Sequence, residues 1–237
     1  MRMRTIFLVV LLLLLSLWLP AADKKEPKPW NKWSAKDAQK ILDDSAWGQT
    51  QTESDMSEMF FSPTSGRESS RAQRGAFNET KAVNFRIRFL SAKPIRQAFA
   101  RLIENRQSKP DPQLSAGLKD FVERKFDQFI AVAVTYDSQD QRLSGAAMQL
   151  FAGATTGTLQ NRTYLELSNG QRLFLQEYKQ PIADGLGAKF IFPRLVDGKP
   201  FVDEKSEDLR FYSEIGALKL NMRFKLADMN YEGALEY

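Results

Sequence analysis

Residues 81–106 read KAVNFRIRFLSAKPIRQAFARLIENR, and a change of period inside them decides the fold class. Val83, Phe85, Ile87 and Phe89 alternate with Asn84, Arg86 and Arg88, which is the period of two expected of a half-buried strand. Ile95, Ala98, Phe99, Leu102 and Ile103 then recur at the i, i+3, i+4, i+7, i+8 spacing of one helix face, and Pro94 suits a first helical turn. After a break at 109–112, Leu114, Leu118, Phe121, Val122 and Phe126 outline a second amphipathic helix. The run 129–136 is apolar and rich in β-branched residues, as in a strand buried on both faces. Strand, helix, helix, strand predicts a small α/β unit over 81–152, with both helices on one face of a sheet and the two strands able to pair. Leu143, Ala147, Leu150 and Phe151 predict a further helix over 139–151, weakened by Gly145 and Gly153.

From 153 to 237 the pattern turns to hairpins. Segments 164–167 and 173–178 flank Asn169-Gly170, and 190–196 precedes Asp197-Gly198; both dipeptides suit type I′ turns. Segments 209–212, 218–225 and 231–235 supply further strands. In 218–225, Leu218, Leu220, Met222 and Phe224 alternate with Lys219, Asn221, Arg223 and Lys225, so this antiparallel region has one dry face and one wet, basic face. The fold class read this way is α+β, with an N-terminal helix and a flexible insertion ahead of the α/β unit and the antiparallel region, all of 81–237 forming one globular domain.

Working back toward the N-terminus, 48–80 is mostly Gln, Thr, Ser, Glu, Arg and Gly, and its only apolar cluster is Met56, Met59, Phe60 and Phe61. It reads as a flexible linker or insertion. Segment 23–47 reads as a charged tether carrying Trp30 and Trp33, followed by a short helix. Ser34 and Asp37 are its capping pair, Ala38, Ile41 and Leu42 mark its face, and Gly48 follows Trp47 at its end. Segment 1–22, with Arg2 and Arg4 ahead of an apolar run and Pro20, Ala21 and Ala22 behind it, has the layout of a secretory signal peptide. A cleaved leader is favoured over an uncleaved anchor, through which the chain would touch the membrane. The protein is therefore expected outside the cytoplasm, in a periplasmic or extracellular setting.

The 237 residues contain no cysteine and no histidine. That excludes Ser-His-Asp and Cys-His catalysis, thiol redox chemistry and zinc sites built on those ligands. The 34 basic and 29 acidic residues give a net charge of +5, and losing Arg2 and Arg4 with the leader lowers it to +3, too slight to argue for nucleic acid as a partner. Acid/base chemistry would have to come from carboxylates such as Glu166, Glu177, Asp184, Asp203, Glu204 and Glu207, which keeps a glycan hydrolase open as an alternative. No Gly-x-Ser-x-Gly or Ser-x-x-Lys pattern occurs. The stretch DGLGAK at 184–189 lacks the ending and the following helix of a phosphate loop, and the acidic groups around Asp137, Asp140 and 203–208 do not match a calcium loop. No catalytic, metal or cofactor residues are assigned, and no cofactor is expected.

Two surfaces stand out instead. Trp30, Trp33, Trp47, Phe60 and Phe61 are candidates for docking a protein partner. Arg86 and Arg88 in one strand, with Lys219, Arg223 and Lys225 in another, are candidates for contacting an anion such as a lipid head group or acidic polysaccharide. The aromatics that single-stranded nucleic acid would need on that face are not visible in its strands.

Three blocks, NKWSAKDAQKILDDSAWGQ at 31–49, RIRFLSAKPIRQAFARL at 86–102 and FKLADMNYEGALEY at 224–237, resemble a family of uncharacterised exported bacterial proteins found notably in acidobacteria. The shared features are a leader, a Trp-Ser/Thr helix ending in Trp, and an Arg-x-x-Ser-Ala-x-Pro-Ile/Val-Arg segment. The resemblance implies export in a bacterium and carries no assigned activity. The function expected is that of a non-enzymatic binding or scaffolding protein of the cell envelope with a protein partner there. The alternatives are the carboxylate-dependent hydrolase and anion or lipid binding through the basic sheet face.

Overall fold

The computed structural model describes residues 28–54, 82–109, 111–203 and 206–237. The leader at 1–22, most of the insertion at 48–80, and Phe60 and Phe61 with it, lie outside the described residues. The α+β class holds: among the described residues five helices accompany antiparallel sheets.

The strand at the head of the deciding stretch is β2 (Ala82–Phe89), and the run read as doubly buried is β3 (Phe129–Ser138); they pair antiparallel with Val83 opposite Ser138 and Phe89 opposite Val132. The first sheet has five strands in the order β1-β2-β3-β7-β6, built from β1 (Gly48–Ser54), β7 (Ala188–Pro193) and β6 (Glu177–Lys179) around that pair. The second sheet has four, in the order β11-β10-β4-β5, from β4 (Thr163–Leu167), β5 (Arg172–Phe174), β10 (Asp208–Ile215) and β11 (Leu218–Lys225). Strands from both sides of residue 153 share the first sheet, so the α/β unit and the β region are built into each other.

The two sheets pack face to face. Val83, Phe85, Ile87 and Phe89 of β2 and Ile130, Val132 and Val134 of β3 meet Leu209, Phe211, Leu220 and Phe224 in one buried core. Phe89 meets Phe224 edge-on at 4.9 Å, and Phe211 lies 5.3 Å from Phe190. The odd-numbered residues of β3, Ala131 and Ala133, face the other way and form a second core with the helices. That face is covered by α1 (Ala35–Asp43), α2 (Lys93–Asn105) and α3 (Pro112–Glu123), as the two-faced apolar run of β3 requires. Small alanines there let the helices approach the sheet. A fourth helix, α4 (Gln141–Gly153), extends the sandwich core with Leu143, Ala147 and Phe151, the last stacked on Tyr136 at 5.3 Å; α5 (Thr156–Leu159) is a single turn.

The flexible reading of 48–80 is corrected over its first residues: Gly48–Ser54 form β1, in register with β2 from Gly48 opposite Arg88 to Ser54 opposite Ala82. Composition hid this because an edge strand is held by its backbone, whose hydrogen bonds do not depend on side chains. Gly48 starts the strand so close to α1 that a Cβ there would stand 2.5 Å from the Leu42 carbonyl oxygen. The helix itself ends at Asp43, earlier than Gly48, because Ser45 Oγ donates to the Ile41 carbonyl at 2.6 Å and accepts from Gly48 N–H at 3.1 Å.

The turns also separate. Asp197 and Gly198, between β8 (Leu195–Val196) and β9 (Lys199–Pro200), have φ of 51° and 75°, as a type I′ turn requires. At Asn169-Gly170 only Gly170 is left-handed, at φ 84°. Its N–H reaches the Leu167 carbonyl at 2.9 Å and Leu167 N–H reaches Gln171 at 3.0 Å, so this is a three-residue loop closed by a bulge and not the two-residue turn expected.

Candidate functional site

The basic sheet face does not assemble. Arg86 and Arg88 lie in the first sheet and Lys219, Arg223 and Lys225 in the second. Arg88 is 3% exposed under the helices, donating to the Leu42 carbonyl at 2.7 Å, to Asp43 at 2.9 Å and to Thr135 Oγ1 at 2.8 Å. Burial lowers its pKa, and the Asp43 carboxylate beside it opposes that. Arg86 Nε is 3.1 Å from Asp43 in a contact too oblique for a hydrogen bond, and its Nη1 donates to Asp137. Alternation alone could not show that three helices cover this face.

On the second sheet's outer face Arg223 pairs with Asp208 at 3.2 Å, while Lys219 and Lys225 are exposed. Aromatics do stand beside them: cross-strand register puts Tyr212, Tyr164 and Phe174 in one row, contrary to the reading from the strands singly. The two tyrosines are engaged, while Phe174, edge-on to Tyr164, stays exposed. Tyr164 stacks on Tyr212 at 5.0 Å, and the Arg172 guanidinium sits 4.4 Å from the same ring. Glu166 is held between Arg172 at 2.5 Å and Arg210 at 3.2 Å. The tyrosine pair is stacked on itself, and a single exposed ring, Phe174, does not make a platform for successive bases.

The tryptophans are likewise engaged. Trp33 is buried, its indole N–H donates to the Lys28 carbonyl at 2.8 Å, and Arg101 Nε donates to its carbonyl at 2.7 Å. Trp30 packs against the helix cores, and Trp47 donates to the Glu236 carbonyl at 2.9 Å while meeting Tyr231 edge-on. They join the N-terminal segment to the body, Trp33 buried and Trp30 and Trp47 half-buried. Of the candidate carboxylates, Asp184 pairs with Lys189 at 2.7 Å inside the DGLGAK loop, and Glu177 lies 3.6 Å from Lys179. Among the described residues no group of three or more acidic side chains is placed to hold a metal, and no helix is long and apolar enough to cross a membrane.

A different set of residues converges where α2 begins, α3 ends and 235–237 pass over them. There a cavity of about 380 Å³ is lined by Lys93, Arg96, Arg124, Lys125 and Arg194, with Phe126 and Tyr237 as aromatic walls. Arg96, 4% exposed, stands in the first turn of α2. Its Nε donates to the Val122 carbonyl at 3.1 Å, near the C-terminal end of α3 where carbonyls lack helical partners, and its Nη1 donates to the carbonyls of Leu90 and Ser91. The guanidinium lies 4.7 Å from the Phe126 ring. Burial pulls its pKa down to about 10; Glu236 and Glu123 oppose the shift, and Arg124 and Arg194 add to it.

Arg194, just after β7, repeats the arrangement. Its guanidinium lies 4.1 Å from the Tyr237 ring, Nη2 donates to the Tyr237 main-chain oxygen, and Nε is buried without a hydrogen-bond partner among the described residues. Lys93 is already engaged, its ammonium within 3.4 Å of Glu123 and 3.5 Å of Glu232 and its main-chain N–H donating to Glu236 at 2.8 Å. Two arginines are thus pinned on aromatic faces, Arg194 with its Nε unpartnered among the described residues, and Arg124 is close enough to be felt by Arg96. Sequence reading passed over all three. Arg96 looks like a polar residue in an amphipathic helix, and Arg194 stands 98 positions away from it. Two signs were available: Arg96 closes the shared Arg-x-x-Ser-Ala-x-Pro-Ile/Val-Arg segment, and it stands between Ile95 and Ala98, near the apolar face of the helix.

Comparison of the chain with family models, curated proteins and solved structures found no match.

Proposed function

We propose that the protein is a non-enzymatic binding module that holds an anionic group of its ligand in the Arg96 cavity, in the cell envelope if the leader acts as an export signal. The observation that carries this reading is the convergence of five basic side chains on one cavity, with Arg96 and Arg194 held against aromatic faces and Arg194 Nε buried without an acceptor among the described residues. A buried donor without an acceptor costs on the order of 1–3 kcal/mol, more when charged. An anion seated there supplies the acceptors and offsets the burial that depresses Arg96. Arginine stays protonated at neutral pH, so these groups hold charge and do not shuttle protons, which favours binding over catalysis. A ligand of this kind enters through its anion, and the tryptophans first considered for docking are not required.

The test is thermal unfolding in sulfate, phosphate or citrate against sodium chloride of equal ionic strength. Saturating anion at about 100 times its Kd stabilises by about 2.7 kcal/mol and raises Tm accordingly. The rise should vanish in Arg194→Gln and shrink in Arg124→Ala, whose side chain is exposed, yet persist in Arg223→Ala on the far sheet. Equal effects of chloride and the test anions on the native chain would sink the proposal.

A further inference from the structure

Resting on that reading, we infer that Glu236 is the resident anion of the Arg96 cavity, an internal competitor that an arriving ligand must displace. Among the described residues three carboxylates line the cavity, and they stand differently. Glu123 and Asp127 are exposed, and Glu123 faces the Lys93 ammonium at 3.4 Å. Glu236 is half-buried and turns its Oε2 onto the main-chain N–H of Lys93 at 2.8 Å. Lys93 is the first residue of α2, so that N–H is one of the donors a helix start leaves without an intrahelical acceptor. Arg96 stands one turn further along the same helix, and Glu236 does most to oppose the depression of its pKa by burial. A carboxylate of the chain itself thus sits in the space proposed for the ligand's anion.

The backbone holds it there. β12 (Asn230–Tyr231) and β13 (Ala234–Leu235) form a hairpin whose turn residues, Glu232 and Gly233, have φ of 52° and 83°, as a two-residue type I′ turn requires. The returning strand delivers Glu236 to α2 with both main-chain groups fixed. Its N–H donates to the Met229 carbonyl at 3.0 Å, and its carbonyl accepts from the Trp47 indole at 2.9 Å. On either side, the Tyr231 hydroxyl donates to Gln97 Oε1 at 2.8 Å, and the Tyr237 ring lies 4.1 Å from the Arg194 guanidinium. What is left to swing is the Glu236 side chain. A group tethered in this way competes at an effective concentration on the order of millimolar, so an anion that bonds no better than a carboxylate gains little by entering. The consequence is a threshold: the site answers ligands that make more of Arg96 and Arg194 than Glu236 does.

A plain helix cap would show the same hydrogen bond, and the charge separates the two roles. Sulfate is titrated calorimetrically into the full chain and into Glu236→Gln, which keeps an acceptor oxygen for the Lys93 N–H and loses the negative charge. Sulfate affinity is expected to rise about tenfold, as lifting one like charge from a partly buried site does. Glu232→Gln is the control. Glu232 is exposed and lies 3.5 Å from the Lys93 ammonium, and its loss is expected to change affinity by no more than about twofold. On the native chain, the carbon resonance of the Glu236 carboxylate is followed as sulfate is added. It is expected to move toward that of a solvated carboxylate with the midpoint of the calorimetric curve, a reading that needs no variant to fold.

Sulfate affinity unchanged in Glu236→Gln, or raised equally by Glu232→Gln, would overturn the competitor and leave the anion site standing, with Glu236 a helix cap alone. A Glu236 resonance indifferent to saturating sulfate would do the same. Sulfate binding to neither the native chain nor either variant removes the proposed function first and this inference with it.

Discussion

Gly187 shows how a single residue can be fixed by its surroundings. It adopts φ 80° beside β3, where an added Cβ would stand 2.2 Å from the Val134 carbonyl oxygen. Gly185, two residues earlier in the same loop, has φ 73° and open space around it. Both positions charge an L-residue the left-handed penalty of about 1 kcal/mol, but only Gly187 adds a backbone collision. Gly187→Ala is therefore expected to destabilise by on the order of 3 kcal/mol and Gly185→Ala by about 1 kcal/mol, measured by urea unfolding. Equal losses would mean that the loop can move away from β3. The phosphate-loop reading was set aside because these glycines serve a turn, and the Lys189–Asp184 pair in the loop fits that view. Arg96 is the opposite case. Its neighbours in sequence are ordinary, and its environment comes from Val122, Phe126, Arg194 and Glu236, brought in by other elements.

At the scale of the element, β1 is the instructive piece. Its pattern GQTQTES offers no apolar face, yet Gln51 makes a two-point contact with the second sheet: its Nε2 donates to the Lys219 carbonyl at 2.8 Å, and its Oε1 accepts from Asn221 N–H at 2.8 Å. An amide side chain is imitating the next strand and satisfying the edge of β11. Gln51→Ala is expected to cost about 1 kcal/mol and to speed amide exchange at Asn221, while Gln49→Ala is expected to do neither. Unchanged exchange at Asn221 would show that the contact does not form in solution. Elements with strong periodicity, β2, α2, α3 and β11, were legible because their apolar residues repeat on one face, whatever covers the other. β1 and the bulged loop at Asn169-Gly170 were not, since backbone pairing and turn length leave no mark on hydrophobic spacing.

Across the whole molecule, the aromatic contacts between sheets argue for one cooperative unit. Phe211 lies at the centre of the sandwich, 5.3 Å from Phe190 and 6.4 Å from Phe192 of β7. Phe211→Ala is expected to cost about 3–5 kcal/mol, and far-UV and near-UV signals should still unfold together. Separate transitions would mean that the sheets melt independently. The antiparallel pairing and the position of α2 and α3 on one face could be anticipated, because both follow from what lies next in sequence. That β7 and β6 complete the first sheet could not, since it depends on the chain crossing from one layer to the other between Phe174 and Glu177. This interleaving also has a consequence in time. Synthesis delivers β2 and β3 long before β10 and β11, so Phe89 of β2 waits for Phe224 until some ninety further residues have emerged after β3, whereas Phe85 meets Phe151 of α4 early. A nascent chain in that interval bears apolar surface that only α4 has begun to cover.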